Sequence, residues 1–304
     1  MSQKIINRSE KKLTLKNSIE GWILILPVVV CLYIFVWRST AMGFFWSFFD
    51  MKGFTPGDFC GFDNYRKVIT HSQFFPMLWN NVQFVFWSLI IGYLPPLFIA
   101  IMLNEIVHFK GTLRVLVYIP VIIPGIAAML IWYYLYYPDQ TGLLNMILAK
   151  VGIPAQKWLN DPDFAIIGII IHMSWKGLGS SMLLYYAALQ GISSELYEAA
   201  LIDGAGPFQR IWHVTRPGVE GLLLLNLVNQ IIGVFQIMEQ PLAMTGGGPD
   251  GATTTLSYQL FNYGFNSSGR ATGQAMALGV IIFLILIVFT ILYFKLNKKV
   301  QERY

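Results

Sequence analysis

Six stretches of this chain are apolar for about the length needed to cross a bilayer: Trp22–Trp46, Asn80–Leu103, Leu113–Tyr137, Phe164–Leu189, Gly218–Met244 and Gln274–Phe294. Hydrocarbon offers no partner to a backbone N–H or C=O, so a spanning segment must satisfy its own backbone, and a helix of roughly 20 apolar residues does so. The pattern predicts an all-α polytopic membrane protein with six transmembrane helices and one membrane domain over residues 1–304. Composition agrees: 12% of residues are charged, against about 25% in a soluble domain. That deficit is too large for a surface that faces water all round. The prolines at 95, 96, 120 and 124 fall inside apolar runs. In a membrane bundle they mark kinks whose freed carbonyls bond to neighbouring groups.

The basic residues orient the chain. With the N-terminus in the cytoplasm, thirteen Lys and Arg fall on the cytoplasmic side and seven outside, and Lys176 remains within a span. The positive-inside rule then places both termini in the cytoplasm, with residues 1–20 as a basic cytoplasmic segment. The net charge of +5 therefore reports lipid headgroups and sidedness, and nucleic acid is not expected as a partner. The first apolar run continues through Trp37 and Arg38 into bulky aromatics, so it reads as a retained helix and not as a cleaved signal. Cys31 and Cys60 form no metal-ligand spacing, and no metal site is expected.

Between the fourth and fifth runs lies Gly191–Pro217, the most informative part of the chain. Ser193 or Ser194 suits the cap of a helix whose first turn carries Glu195. Leu196, Ala199, Ala200 and Ile202 follow at helical spacing. Asp203-Gly204-Ala205-Gly206 breaks that helix, Pro207 suits the first turn of a second, and Pro217 is expected to end the second near Val214. Two short helices at an angle, one of them lined by small residues, form either a docking element or an interfacial helix resting on headgroups.

The spacing of Glu198-Ala199-Ala200, then Asp203-Gly204-Ala205, then Val214 and Pro217, resembles the EAA loop of ABC importer permeases. Its place between the fourth and fifth spans is also similar to that family. Arg216 departs from the pattern, in which leucine is usual. Gly61-Phe62-Asp63-Asn64-Tyr65 looks like the GLDNY segment of sugar permeases, and Thr245-Gly246-Gly247-Gly248-Pro249 with Ala252-Thr253-Thr254-Thr255 like the TGGGP and ATTTL segments of the oligosaccharide group. The resemblance covers nearly the whole chain and points to the first permease of maltose- and glycerol-phosphate-type systems. It implies a type I ABC importer transmembrane domain in a bacterial or archaeal cytoplasmic membrane, carrying a sugar or oligosaccharide. It implies a second permease, two ATPase subunits that bind ATP and Mg, and an extracellular solute-binding protein. It also implies that residues 191–217 couple to the ATPase, through Glu195, Glu198, Ala199, Ala200, Asp203, Gly204, Ala205 and Pro217.

No GxxxxGK[ST] run, nucleophile elbow or HExxH occurs, so neither ATP hydrolysis nor other catalysis is expected on this chain, and no cofactor is expected to bind it. A secondary transporter of small polar solutes is the alternative, though no internal repeat supports it and it leaves the EAA-like loop unexplained. Lys176 is the one charge deep in a span. It calls for a wet cavity or a partner, unless it snorkels to a helix end. Glu239 is either its counter-ion or a solvated charge at the outer mouth. Gln236 and Gln240 flank Glu239 and share its candidate place on the substrate pathway. Trp175 and Tyr186 are candidates for stacking on a sugar ring, with ordinary packing as the alternative. Asn226, Asn229 and Gln230 suit bridges between helices.

Overall fold

A computed structural model describes residues 21–105, 109–266 and 271–302. The basic segment 1–20 lies outside the described residues. Five helices are long and apolar enough to cross a membrane: Gly21–Trp46, Phe74–Glu105, Pro162–Gln190, Pro207–Phe235 and Thr272–Lys299. Lys110–Ile122 and Gly125–Leu135, two helices that meet at 95°, make six when counted together as one broken span; in chain order the six are spans 1 to 6, and this pair is span 3. The third span, expected as one run over residues 113–137 with kinks at its prolines, is thus broken into two helices at Pro124. Its cause is local: Pro124 has no N–H, and it holds Ile123 in an extended conformation with ψ 129°, so the helical ladder stops there.

The fifth span also departs from expectation at both ends. Pro217 does not stop a short helix near Val214. The chain runs from Pro207–Arg210 through a widened turn at Ile211–Thr215 and on as Arg216–Phe235. A proline ring needs space beside the carbonyl four residues earlier, and a π-type turn just before it provides that space. The same device precedes Pro95, where Leu89–Tyr93 is widened and the helix resumes over Pro95–Glu105. The C-terminal end of this span stops at Phe235, short of Met244. Gln236, Ile237 and Met238 leave the helix before Pro241–Thr245 forms a separate turn.

Span 4 is the axis of the bundle and packs against spans 2, 3 and 5. Close approach to span 3 depends on Gly179, where a Cβ would lie 2.7 Å from the Val117 carbonyl oxygen. The buried core has three clusters. Phe84, Met129, Ile166, Ile169 and Val234 join spans 2 to 5. Val68, Phe74, Met77, Leu256 and Leu278 join the start of span 2 to span 6. Ala100, Met182, Tyr185, Leu189 and Val219 pack spans 2, 4 and 5 near the 191–217 loop. Large apolar side chains such as Leu24, Phe35, Phe98, Ile126 and Val288 stay exposed. In a bilayer such a surface is solvated by lipid tails and needs no protein cover. Among the described residues the one sheet is a hairpin, Phe49–Lys52 with Thr55–Phe59, between spans 1 and 2.

Candidate functional site

Residues 191–217 form a helix, a tight bend and the start of span 5. Ser193 caps the helix Ser194–Ile202, its hydroxyl accepting from the Glu195 N–H at 3.3 Å. At the other end the Ala205 N–H bonds to the Ala200 carbonyl at 2.9 Å, with Gly204 at φ +76°. A side chain is strained in that conformation, so glycine fits the bend. Gly206 donates to Gln209 Oε1 at 2.8 Å, and Pro207 opens the next helix. The residues singled out in sequence, Glu195, Glu198, Ala199, Ala200, Asp203, Gly204 and Ala205, thus share one projecting turn. Pro217 stands beyond it, inside the helix that continues into span 5.

This helix buries none of its residues. Ile202 is 86% and Phe208 88% exposed. Glu198 is exposed and makes no ion pair among the described residues. One side-chain bond ties the helix to the bundle, Tyr197 Oη to Thr215 Oγ1 at 3.0 Å. The base of the loop is tight: a Cβ on Gly218 would meet Ile192 Cδ1 at 2.5 Å. Arg216, the departure from the family pattern, stacks over the Trp212 ring at 4.2 Å, so its packing is local. The arrangement is a stiff protrusion on a narrow base, continuous with a spanning helix.

The charge inside span 4 has a definite partner. Lys176 Nζ donates to the Ile123 carbonyl at 2.6 Å, at the break in span 3. That oxygen sits at the C-terminal end of Lys110–Ile122, where the helix dipole is negative and the ladder has ended. Around it, Trp175 packs on Trp132 with ring centroids 5.5 Å apart, and buried His172 lies 6.0 Å from the same ring. Slightly off this cluster, spans 2, 4 and 5 converge on Gly92. A Cβ there would lie 2.7 Å from Ser174 Oγ and 3.2 Å from Gln230 Nε2.

The structure does not gather all the pathway candidates. Glu239 is exposed and forms no ion pair with Lys176, so the proposed lysine–carboxylate pair is absent. The helix ends before Glu239 is reached, so that residue does not continue the face expected of it. Gln236 is exposed at the end of span 5 and Gln240 is half-buried beside Glu239. Tyr186 is ten residues beyond Lys176 on the same helix, about 15 Å along its axis. Its ring is buried under the Arg114 guanidinium at 4.4 Å, and its hydroxyl accepts from Gln190 Nε2 at 2.7 Å. Those contacts leave no open ring face for a sugar. Gly92, Ser174 and the Ile123 carbonyl were not singled out from sequence. The proline pair after Gly92 was the nearest signal.

The two remaining motifs are interlocks on the side opposite the 191–217 loop. In Gly61–Tyr65, Asn64 is buried and donates to the Ser47 and Phe49 carbonyls, both at 2.9 Å, while Tyr65 shares a 2.6 Å bond with Ser47 Oγ. Span 6 presses on this knot at Gly273, where a Cβ would fall 2.7 Å from Asn64 Nδ2. In Thr245–Thr255, Gly246 and Gly247 take positive φ and let the chain fold back. Thr253 then bonds to Thr245 and the Gly248 carbonyl, Thr254 to the Gly247 carbonyl, and Thr255 to the Ile237 carbonyl. Asn80 and Asn81 of span 2 close the knot by bonding to Gly251, Thr254 and Leu256. On the loop after span 3, Asn145 donates to the Asp139 and Gln156 carbonyls. There Asp139 also takes hydrogen bonds from Thr141, which hold its carboxyl below the ordinary carboxylate value.

A bundle of this topology, with a projecting helix between its fourth and fifth spans, defines the membrane subunit of a binding-protein-dependent importer. Residues 98–302 match the family model of the binding-protein-dependent transport system inner membrane component, and the chain belongs to that family. It is 33% identical to the trehalose/maltose transport system permease protein MalF of Thermococcus litoralis, over 96% of this chain and 98% of that protein. It is 29% identical to the arabinooligosaccharides transport system permease protein AraP of Bacillus subtilis, over 89% of this chain and 86% of that one. The sn-glycerol-3-phosphate transport system permease protein UgpA of Shigella flexneri is also 29% identical, over 92% and 95%. Among solved structures, a chain of a bacterial ABC transporter that imports the acidic polysaccharide alginate superposes with TM-score 0.83 at 22% identity, over 94% of this chain and 97% of that chain. The fold is that of a type I ABC importer transmembrane domain.

Proposed function

We propose that the chain passes a sugar or oligosaccharide across the cytoplasmic membrane while ATP is hydrolysed on partner subunits. The observation that carries this reading is the helix Ser194–Ile202, which buries none of its own residues and projects from a span at a narrow base. A water-exposed helix displaying Leu196, Leu201 and Ile202 has its apolar surface left for a partner. The partner is a soluble ATPase subunit, which binds ATP and Mg. Two such subunits pair beneath this chain and a second permease, and an extracellular solute-binding protein delivers the substrate. The sugar class rests on the named systems of the relatives. On this reading the 191–217 loop and both termini are cytoplasmic, an orientation that the Lys and Arg distribution supports.

The substrate pathway runs past Trp175 and Lys176, with Gln236, Glu239 and Gln240 at its outer mouth. Tyr186 supports the inner end of span 4 by its contacts with Arg114 and Gln190. Co-expression with a second permease and an ATPase subunit from the same organism tests the assembly: the tagged chain should co-purify with the second permease and two ATPase copies. Sugar uptake by the reconstituted complex should require the binding protein and ATP. ATP hydrolysis by the purified chain alone, free of ATPase subunits, is the result that refutes the proposal.

A further inference from the structure

Beneath the loop helix lies a second feature, a cavity of about 230 Å³. Its walls include Asn104 and Glu105 at the end of span 2, Tyr197 on the loop helix, and Arg210 and Thr215 at the start of span 5. It occupies the joint of the loop, because the Tyr197–Thr215 bond that ties the loop helix to the bundle lines it. Its chemistry is unbalanced. Among the described residues, Arg210 Nε is buried without a hydrogen-bond partner and no carboxylate pairs with this guanidinium. Lys110 stands close by, donating to the Asn104 carbonyl at 3.2 Å. A second buried guanidinium Nε without a partner, that of Arg114, sits over Tyr186, one turn from the lining residue Leu189.

Arg210 is half-buried, and only its Nε lacks an acceptor; a buried N–H left unpaired is costly, and oxyanions satisfy the planar fork of a guanidinium best. Glu105 is on the wall as well, so a bare anion would be repelled there, whereas hydroxyl groups would donate to its carboxylate. The volume is below the roughly 300–1,000 Å³ of sites for drug-sized ligands, which limits the occupant to a small headgroup. We propose that this cavity binds a phosphate ester that also carries hydroxyl groups, with the phosphoryl oxygens on Arg210 and the hydroxyls on Glu105 and Asn104. An occupant there wedges the loop helix against the bundle and so modulates coupling. That modulation rests on reading residues 191–217 as the coupling loop, and the binding does not. The same chemistry is offered by a phosphoglycerol lipid headgroup and by a soluble sugar phosphate.

The purified full-length chain in phosphatidylcholine nanodiscs is titrated with glucose 6-phosphate, and in a parallel arm phosphatidylglycerol is added instead. Occupancy is read by native mass spectrometry. One of the two probes should be retained, and the arm that responds identifies the source. Loss of a charge-assisted bond predicts that Arg210→Gln weakens the retained probe by about tenfold or more. Arg210→Lys should fall between, and Lys298→Gln, at an exposed residue near the end of span 6 that does not line the cavity, should bind as wild type. Tyr197→Phe gives a second variant should Arg210→Gln fail to fold, with a smaller loss expected. Retention of neither probe, or of both equally by wild type and the cavity variants, overturns the site. Stimulated ATP turnover in the assembled complex is measured with and without the retained probe. Binding without any change in turnover overturns the modulation, and failure of the ATPase to co-purify instead refutes the coupling reading while leaving the binding result intact.

Discussion

The ammonium of Lys176 meets the carbonyl of Ile123 at 2.6 Å, joining span 4 to the break in span 3. Both groups would be expensive alone in hydrocarbon: a charge inside a span, and a carbonyl released from its helix by Pro124. Together each supplies what the other lacks. The lysine also sits at the negative end of Lys110–Ile122, where a cation is favoured. The 95° bend that Pro124 opens is therefore braced by a side chain from the neighbouring helix.

Lys176→Met removes that donor and leaves a half-buried carbonyl unpaired, at a cost of about 1 kcal/mol. Thermal unfolding of the purified chain should show the loss, and sugar uptake should fall with it. Lys176→Arg keeps both charge and donors and should recover part of each. A Lys176→Met protein as stable and as active as wild type would show that the bond does not hold the break.

Lys176 and Glu239 form no ion pair, so their substitutions should act independently. A double-mutant cycle with Lys176→Met and Glu239→Gln, scored by uptake, should be additive within about 0.5 kcal/mol. A larger coupling energy would place the two charges on a common element of the pathway.

The knot between span 2 and Thr245–Leu256 is a buried polar network, and such networks are sensitive to the loss of one member. Asn81 is fully buried and accepts from the Leu256 N–H at 2.9 Å. Asn81→Ala should destabilise the chain by about 1–3 kcal/mol, read as a lower unfolding midpoint in detergent. Gly247→Ala should do so as well, since φ is +85° and the new methyl would meet Tyr258 Cε1 at 2.6 Å. An unchanged midpoint in both variants would show that this loop is not part of the cooperative fold.

Gly273→Ala provides a steric test of the other interlock. Its methyl would collide with Asn64 Nδ2 and the Phe49 carbonyl, and the carbonyl cannot move aside cheaply. Gly111→Ala, with nothing within 4 Å of the new Cβ, is the matched control. The first should reduce the yield of folded protein in a fluorescence-monitored size-exclusion profile, and the second should not.

Apolar run length made the spans legible in sequence, because backbone hydrogen bonding leaves few other choices in lipid. The loop was legible as well: Ser193, Gly204 and Pro207 each have a local preference that matches the position they occupy. The 95° bend was not. Pro124 marks an interruption, but the angle depends on how spans 3 and 4 pack at Gly179 and on what Lys176 bonds to. The partner of Lys176 is a backbone oxygen, which has no signature among side chains, and that is why Glu239 was the nearest candidate in sequence. Pro217 misled for a related reason. Its usual effect as a stop is relieved by the widened turn at Ile211–Thr215, which residue preferences do not announce. For Tyr186 the sequence left stacking and packing both open, because the guanidinium of Arg114 that covers it comes from another span.

Coupling is the centre of the account, and Ala200 and Gly204 test it most directly. Ala200→Trp adds bulk to the loop helix, and Gly204→Asp forces a side chain into the φ +76° bend. Both substitutions lie outside hydrocarbon, so the chain should still insert and fold. The measurement is a pair on the same preparation: recruitment of the ATPase by pull-down, and substrate-stimulated ATP turnover in the reconstituted complex. The account predicts that both variants fold normally while recruitment or stimulated turnover collapses. If both variants retain wild-type recruitment and wild-type stimulated turnover, residues 191–217 are not where this chain meets its ATPase.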